Sequence, residues 1–99
     1  MRAAAKTFPL VVITPDSRTP TQNVGFLDVP AHQGRLTVLA GHEPFLCAIR
    51  PGTVRIRNES GHENVLHVGP GVMKVQRDGV TLLVQRARNA GQDREETDG

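Results

Sequence analysis

Chain-turning residues recur at short intervals along almost the whole sequence. Thr14-Pro15-Asp16, Pro30, Gly34, Gly41, Pro44, Pro51-Gly52, Asn58-Glu59-Ser60-Gly61, Gly69-Pro70-Gly71 and Arg77-Asp78-Gly79 cut the chain into short runs that no long helix interrupts. The runs between them are rich in Val, Leu, Ile and Thr, side chains that pack well on a pleated surface. Short β-rich runs at this spacing predict an all-β fold, a flattened β-sandwich or barrel of about 8–10 short strands. With 99 residues the chain forms one such domain, burying roughly 65% of its unfolded surface. Having no Trp or Tyr and only Phe8, Phe26 and Phe45, it must build its core mainly from aliphatic side chains.

The individual runs carry more detail. Leu10-Val11-Val12-Ile13 is continuously apolar, the pattern of a strand covered on both faces. Between Asn23 and Val29 the apolar positions change phase near Phe26 and Leu27, which one extra residue, a β-bulge, would explain. Gly34 opens a third run, Arg35 to Leu39, with Leu36 and Val38 on one face. Thr53-Val54-Arg55-Ile56-Arg57 alternates cleanly, so Val54 and Ile56 point inward and both arginines outward. Leu66 and Val68 point one way, Val65 and His67 the other. Val72 to Gln76 and Val80 to Gln85 form a hairpin around Arg77-Asp78-Gly79, where Asp-Gly supplies the positive φ that a tight turn needs. Three segments result: residues 1–7 as a flexible N-terminus, 8–86 as the domain, and 87–99 as a polar, disordered tail.

Chemistry is sparse. No two of His32, His42, His62 and His67 have the i, i+4 spacing of a helical zinc site, and a metal site needs three or four convergent ligands. Ser17, Ser60 and Cys47 have no nucleophile signature around them. Cys47, between Leu46 and Ala48, reads as a small buried hydrophobe. No Gly-Lys-Ser/Thr loop cradles a phosphate. Neither a catalytic residue, a cofactor site nor a metal site is assigned.

The single cysteine excludes an intrachain disulfide framework and favours a reducing compartment. No run approaches the roughly 20 apolar residues of a membrane span, and Met1 to Lys6 is too short and too weakly apolar for a signal peptide. Twelve basic side chains exceed ten acidic ones, and Asp93, Glu95, Glu96 and Asp98 concentrate acidity at the end. The rest is therefore more basic. Arg50, Arg55, Arg57 and Arg77 make a nucleic-acid-binding β-barrel the competing reading. The missing aromatics weigh against it for single strands, which are held by base stacking.

Taken in order, the landmarks resemble the epsilon subunit of F-type ATP synthases, called delta in mitochondria. Leu10 to Pro15 is similar to that family's opening apolar strand, and Val24 to Pro30 to its alternating second strand. Gly34 to Pro44 resembles its most recognisable stretch: a glycine and an acid, a short strand, then a Pro-Gly-His-Ala-Pro turn that Gly41, His42 and Pro44 match. Pro51-Gly52 with Val54 to Arg57, then Gly69, Gly71, Met73 and Val75, and finally Val80-Thr81-Leu82-Leu83, are similar to its later strands.

The resemblance spans about residues 8–86 and implies a β-sandwich seated on the gamma subunit and the c-ring. Its role would be mechanical: a non-catalytic rotor subunit coupling proton or sodium flow to ATP chemistry. It implies ring-facing roles for Gln33, Gly34, Arg35 and His42, and turn-shaping roles for Gly41, Pro44, Pro51, Gly52, Gly69 and Gly71. It also implies peripheral attachment, through the complex alone, at the cytoplasmic face of a bacterial plasma membrane. Arg35 stands where the family usually has an acid, so the expected ring loop facing it is acidic or neutral. Ala40 replaces the usual Pro, and Gly69-Pro70-Gly71 a Gly-Gly pair. Many members continue into a regulatory helical hairpin. This sequence ends at Gly99, and the expectation is a short form without that arm.

Overall fold

The computed structural model describes residues 6–90. Ten strands form there: β1 (Phe8–Thr14), β2 (Ser17–Arg18), β3 (Gln22–Ala31), β4 (Gly34–Val38), β5 (Phe45–Ile49), β6 (Gly52–Asn58), β7 (Glu63–Val68), β8 (Gly71–Gln76), β9 (Gly79–Val84) and β10 (Ala87–Asn89). They join in the order β10-β7-β6-β3-β5-β8-β9-β1-β2, with β4 also on β3 and β1 reaching back to pair with β3. Every pair is antiparallel except β1 with β9.

This network folds over on itself. One half, β5-β8-β9-β1-β2, covers the other, β4-β3-β6-β7-β10, and a single core lies between them. Alternation decides which side chains enter it. Leu10 and Val12 of β1, Val54 and Ile56 of β6, Met73 and Val75 of β8, and Val80, Leu82 and Val84 of β9 are buried. Full burial of each large aliphatic side chain contributes about 1.5–3 kcal/mol.

Three of the passages between the halves are two-residue corners: Arg50-Pro51 from β5 to β6, Gly69-Pro70 from β7 to β8, and Gln85-Arg86 from β9 to β10. Proline cannot donate to a ladder, so it fits where pairing is handed from one half to the other. The corners are stitched by backbone bonds. Gly69 N–H donates to the Arg86 carbonyl at 3.0 Å and Gln85 N–H to the Pro70 carbonyl at 3.0 Å, while Arg50 N–H donates to the Pro30 carbonyl at 2.8 Å.

The expected bulge is present: the β3–β6 register slips between Val24 and Phe26, which lets Val24 and Leu27 both face the core. The β8–β9 hairpin is present too. Its positive φ, 155°, lies on Gly79 after the turn, and neither Arg77 nor Asp78 shares it.

Three expectations change. Ala87–Asn89, assigned to the tail, is a strand paired with β7, so ordered sheet extends past Arg86; residues 91–99, and residues 1–5 of the N-terminal segment, lie outside those described. Its three residues were too few to show alternation. Cys47 is half-buried against the core rather than enclosed. The apolar run of β1 is covered on one face only, with Leu10 and Val12 buried and Val11 and Ile13 partly open. That last difference leads to the candidate docking surface.

Candidate functional site, an apolar docking face

On the outer side of β5-β8-β9-β1 the register sets side chains in rows. Ala48 stands opposite Val72, Val72 opposite Leu83, and Leu83 opposite Ile13. In the next row Leu46, Lys74, Thr81 and Val11 lie side by side. An exposed sheet face is ordinarily polar. Here Leu46 is 66% exposed, Leu83 42% and Val72 37%, and the only charge within the two rows is Lys74. Ile13, Pro15, Pro70 and Leu83 also line a shallow groove of about 300 Å³ at the end of the face nearest the corners. A contiguous apolar patch with a groove and a single cation is the anatomy of a protein-docking surface.

The outer side of β4-β3-β6-β7 is the reverse. Arg35 grips Asp28 through Nε at 3.0 Å and Nη2 at 2.7 Å, and the Thr37 hydroxyl donates to the other carboxylate oxygen at 3.3 Å. Arg55 Nε donates to Glu63 at 3.0 Å, and Arg57 lies 3.7 Å from the same carboxylate. Arg57 also sits over the Phe26 ring, 4.3 Å from its centre, a cation–π contact that brings a half-buried aromatic into the charged surface. These charges close on one another.

The residues expected to face a ring partner are all exposed, and they do not converge. Gln33 is at the tip of the β3–β4 hairpin, Gly34 opens β4 at φ 132°, and Arg35 is the second residue of that strand. His42 lies past the other end of β4, its N–H donating to the Leu39 carbonyl at 3.3 Å and its ring centred 5.6 Å from that of Phe45. The four positions from Gly34 to Val38 separate these groups by about 13 Å. Gly41, at φ 87°, turns this second loop, and Pro44 leads into β5.

Pro51 and Gly69 lie in the corners, and Gly52 and Gly71 open the strands that leave them. Gly71 has the strictest requirement. A Cβ there would fall on the Leu83 carbonyl oxygen and 2.7 Å from the Val84 Cα, so β8 and β9 approach closely only because the side chain is absent.

Other chemistry finds no support in the arrangement. Among the described residues no three His, Cys, Asp or Glu side chains gather to hold a metal ion. Burial pushes the Cys47 thiol up from its ordinary 9.0, the opposite of an activated nucleophile. The four arginines of the nucleic-acid reading are dispersed: Arg55 and Arg57 share Glu63, Arg50 lies at a corner, and Arg77 is in the turn at the far end of β8.

The apolar face escaped the sequence reading. Its signal was present in the unbroken run Leu10 to Ile13 and the pair Leu82-Leu83, where a one-sided strand would carry polar residues. Sequence alone does not separate a strand with both faces covered by its own chain from one awaiting a partner.

Fold and surface together define a small β-sandwich with one uncovered apolar face. Residues 7–90 match the family model for the ATP synthase delta/epsilon chain, beta-sandwich domain, and the chain belongs to that family. It is similar to a chain in the cryo-EM structure of the Euglena gracilis mitochondrial ATP synthase (OSCP, F1 and c-ring), with 18% identity and a TM-score of 0.80. That match covers 92% of this chain and 61% of the other, so the chain spans about three fifths of its relative's length. A chain of the Tetrahymena thermophila mitochondrial ATP synthase central stalk and c-ring is similar at 13% identity and a TM-score of 0.70, covering 86% of this chain and 68% of that one.

Proposed function

We propose that this protein is a non-catalytic rotor subunit of an F-type ATP synthase, joining the gamma subunit to the c-ring so that ion-driven rotation reaches the catalytic head. The observation that carries the reading is the apolar outer face of β5-β8-β9-β1 in a member of the delta/epsilon family. Torque transfer requires no bond to break. It requires a stiff body held on its partners by buried area, and a sheet network closed around one core supplies the stiffness.

The apolar face is the gamma-binding surface in this reading. Lys74, alone among apolar neighbours, calls for an acidic partner side chain. The β3–β4 tip with Gln33, Gly34 and Arg35, together with His42, faces the ring. Because Asp28 already holds Arg35, that tip presents little net charge, which suits a neutral ring loop as well as an acidic one. The subunit is peripheral, and the reading places it on the cytoplasmic side of a bacterial plasma membrane, a reducing side on which a lone free thiol persists.

Co-expression with the gamma subunit and c-ring of the same organism tests the proposal. A stable complex is expected, lost when Leu83 and Leu46 are both made acidic. A well-folded chain that binds neither partner overturns it.

A further inference from the structure

Arg86 and Arg88 lie where the sequence pattern ends, yet β10 brings them into a defined place. The β7–β10 register sets Arg88 directly opposite His67, both on the outer side. Arg86, two residues earlier at the corner, lies flat along the backbone of Gly69. A Cβ on that glycine would stand 3.2 Å from Arg86 Cγ and Nη1 and 3.3 Å from Cζ. The missing side chain is thus the bed on which the guanidinium rests. Arg86, Arg88 and His67, with Gly52, Val68 and Ala87, line a cleft of about 370 Å³.

The charge balance at this cleft is unlike that of the neighbouring sheet surface. Asp28 is taken by Arg35, and Glu63 is shared by Arg55 and Arg57. Neither Arg86 nor Arg88 has an ion pair among the described residues. Two guanidinium forks beside an imidazole match the several oxygens of a phosphate. Arg86 is also placed in advance, which lowers the ordering cost of binding.

We propose that this corner cleft binds a phosphate group. The proposal is independent of the rotor reading, because the cleft lies on the β7–β10 side and not on the apolar face. Free polyphosphate and a phospholipid headgroup offer the same chemistry, and two arms of one experiment distinguish them.

The intact chain, isotope-labelled, is titrated with inorganic phosphate and tripolyphosphate while its amide and arginine Nε–H signals are followed. In parallel it is sedimented with vesicles of phosphatidylcholine containing phosphatidylglycerol. Saturable shifts confined to Gly52, His67, Arg86 and Arg88 are expected with tripolyphosphate. Co-sedimentation as well assigns the headgroup as a source; its absence leaves the soluble anion. Arg86→Gln and Arg88→Gln should each weaken binding by about tenfold. Gly69→Ala, which keeps every charge but displaces Arg86, should weaken it too, and Arg57→Gln should not. Circular dichroism confirms that each variant is folded. No saturable shift at millimolar tripolyphosphate, as when a carboxylate of the chain itself holds the cleft, overturns the proposal. So does an Arg57→Gln loss equal to that of Arg88→Gln, which marks diffuse basic attraction.

Discussion

The two outer faces of this sandwich cover the same core and follow the same pleat, yet they are opposites. On the β4-β3-β6-β7 side each carboxylate is held by arginine, and the one large aromatic is capped by a guanidinium. On the β5-β8-β9-β1 side Leu46, Val72 and Leu83 stand open with a single lysine among them. A surface that satisfies its own groups needs only water, whereas one that leaves several branched aliphatics exposed is completed by another molecule. The difference marks the β5-β8-β9-β1 side as the candidate docking surface.

The contrast is broken most severely through Gly71. Gly71→Val drives a side chain into the β9 backbone beneath the apolar face, and a loss of at least about 3 kcal/mol in urea unfolding is expected. The matching change on the charged side, Gly34→Ala, meets open space and should cost only about 1–2 kcal/mol for its left-handed φ. Equal losses would mean that β8 and β9 are not so closely paired.

Next comes the face itself. Leu83→Asp should weaken gamma binding by about 2 kcal/mol or more, as for a central interface anchor, with the unfolding midpoint nearly unchanged. Arg55→Gln, in the equivalent outward position of the charged half, should leave affinity within about 0.5 kcal/mol. If the charged-face variant is the one that loses binding, the faces have been assigned the wrong way round.

The Arg35–Asp28 pair tests whether the charged half is self-contained. A double-mutant cycle in thermal unfolding should give about 0.5 kcal/mol of coupling, falling with salt, because the arginine is largely exposed. Arg35→Glu alone is ambiguous for the ring contact, since it also sets two acids together. Asp28→Lys with Arg35→Glu keeps the pair while reversing its order. Assembly that survives this swap but not Arg35→Glu assigns Arg35 to the fold and not to the ring.

The smallest effect concerns Cys47. Burial favours the neutral thiol in the folded state, so its pKa there lies above the unfolded value. The associated stability is fully present below the ordinary 9.0 and is lost as pH rises through the folded pKa. A slight alkaline destabilisation, absent in Cys47→Ala, is expected, with alkylation slower in the folded than in the urea-unfolded chain.

Much of this was legible in the sequence. Alternation at Val54 and Ile56, the phase slip near Phe26, and the glycine after Asp78 are local signals, because pleat and turn geometry act over a few residues. Gly69 and Gly71 were visible as breakers, but not as an arginine's bed and a close strand approach. Those depend on what Arg86 and Leu83 bring from elsewhere in the chain. Likewise β10 carries no pattern of its own and exists because β7 offers it an edge.

By itself, then, the sequence determined an all-β domain, its core side chains and the family to which it belongs, since periodicity and turn chemistry are written residue by residue. Only the tertiary structure decided which half of the apolar β1 run is covered, that Asp28 claims Arg35, and that Ile13, Val72 and Leu83 share one open face. Those facts come from register between strands far apart in the chain, and the energy that selects a register lies in the packed core rather than in either strand alone.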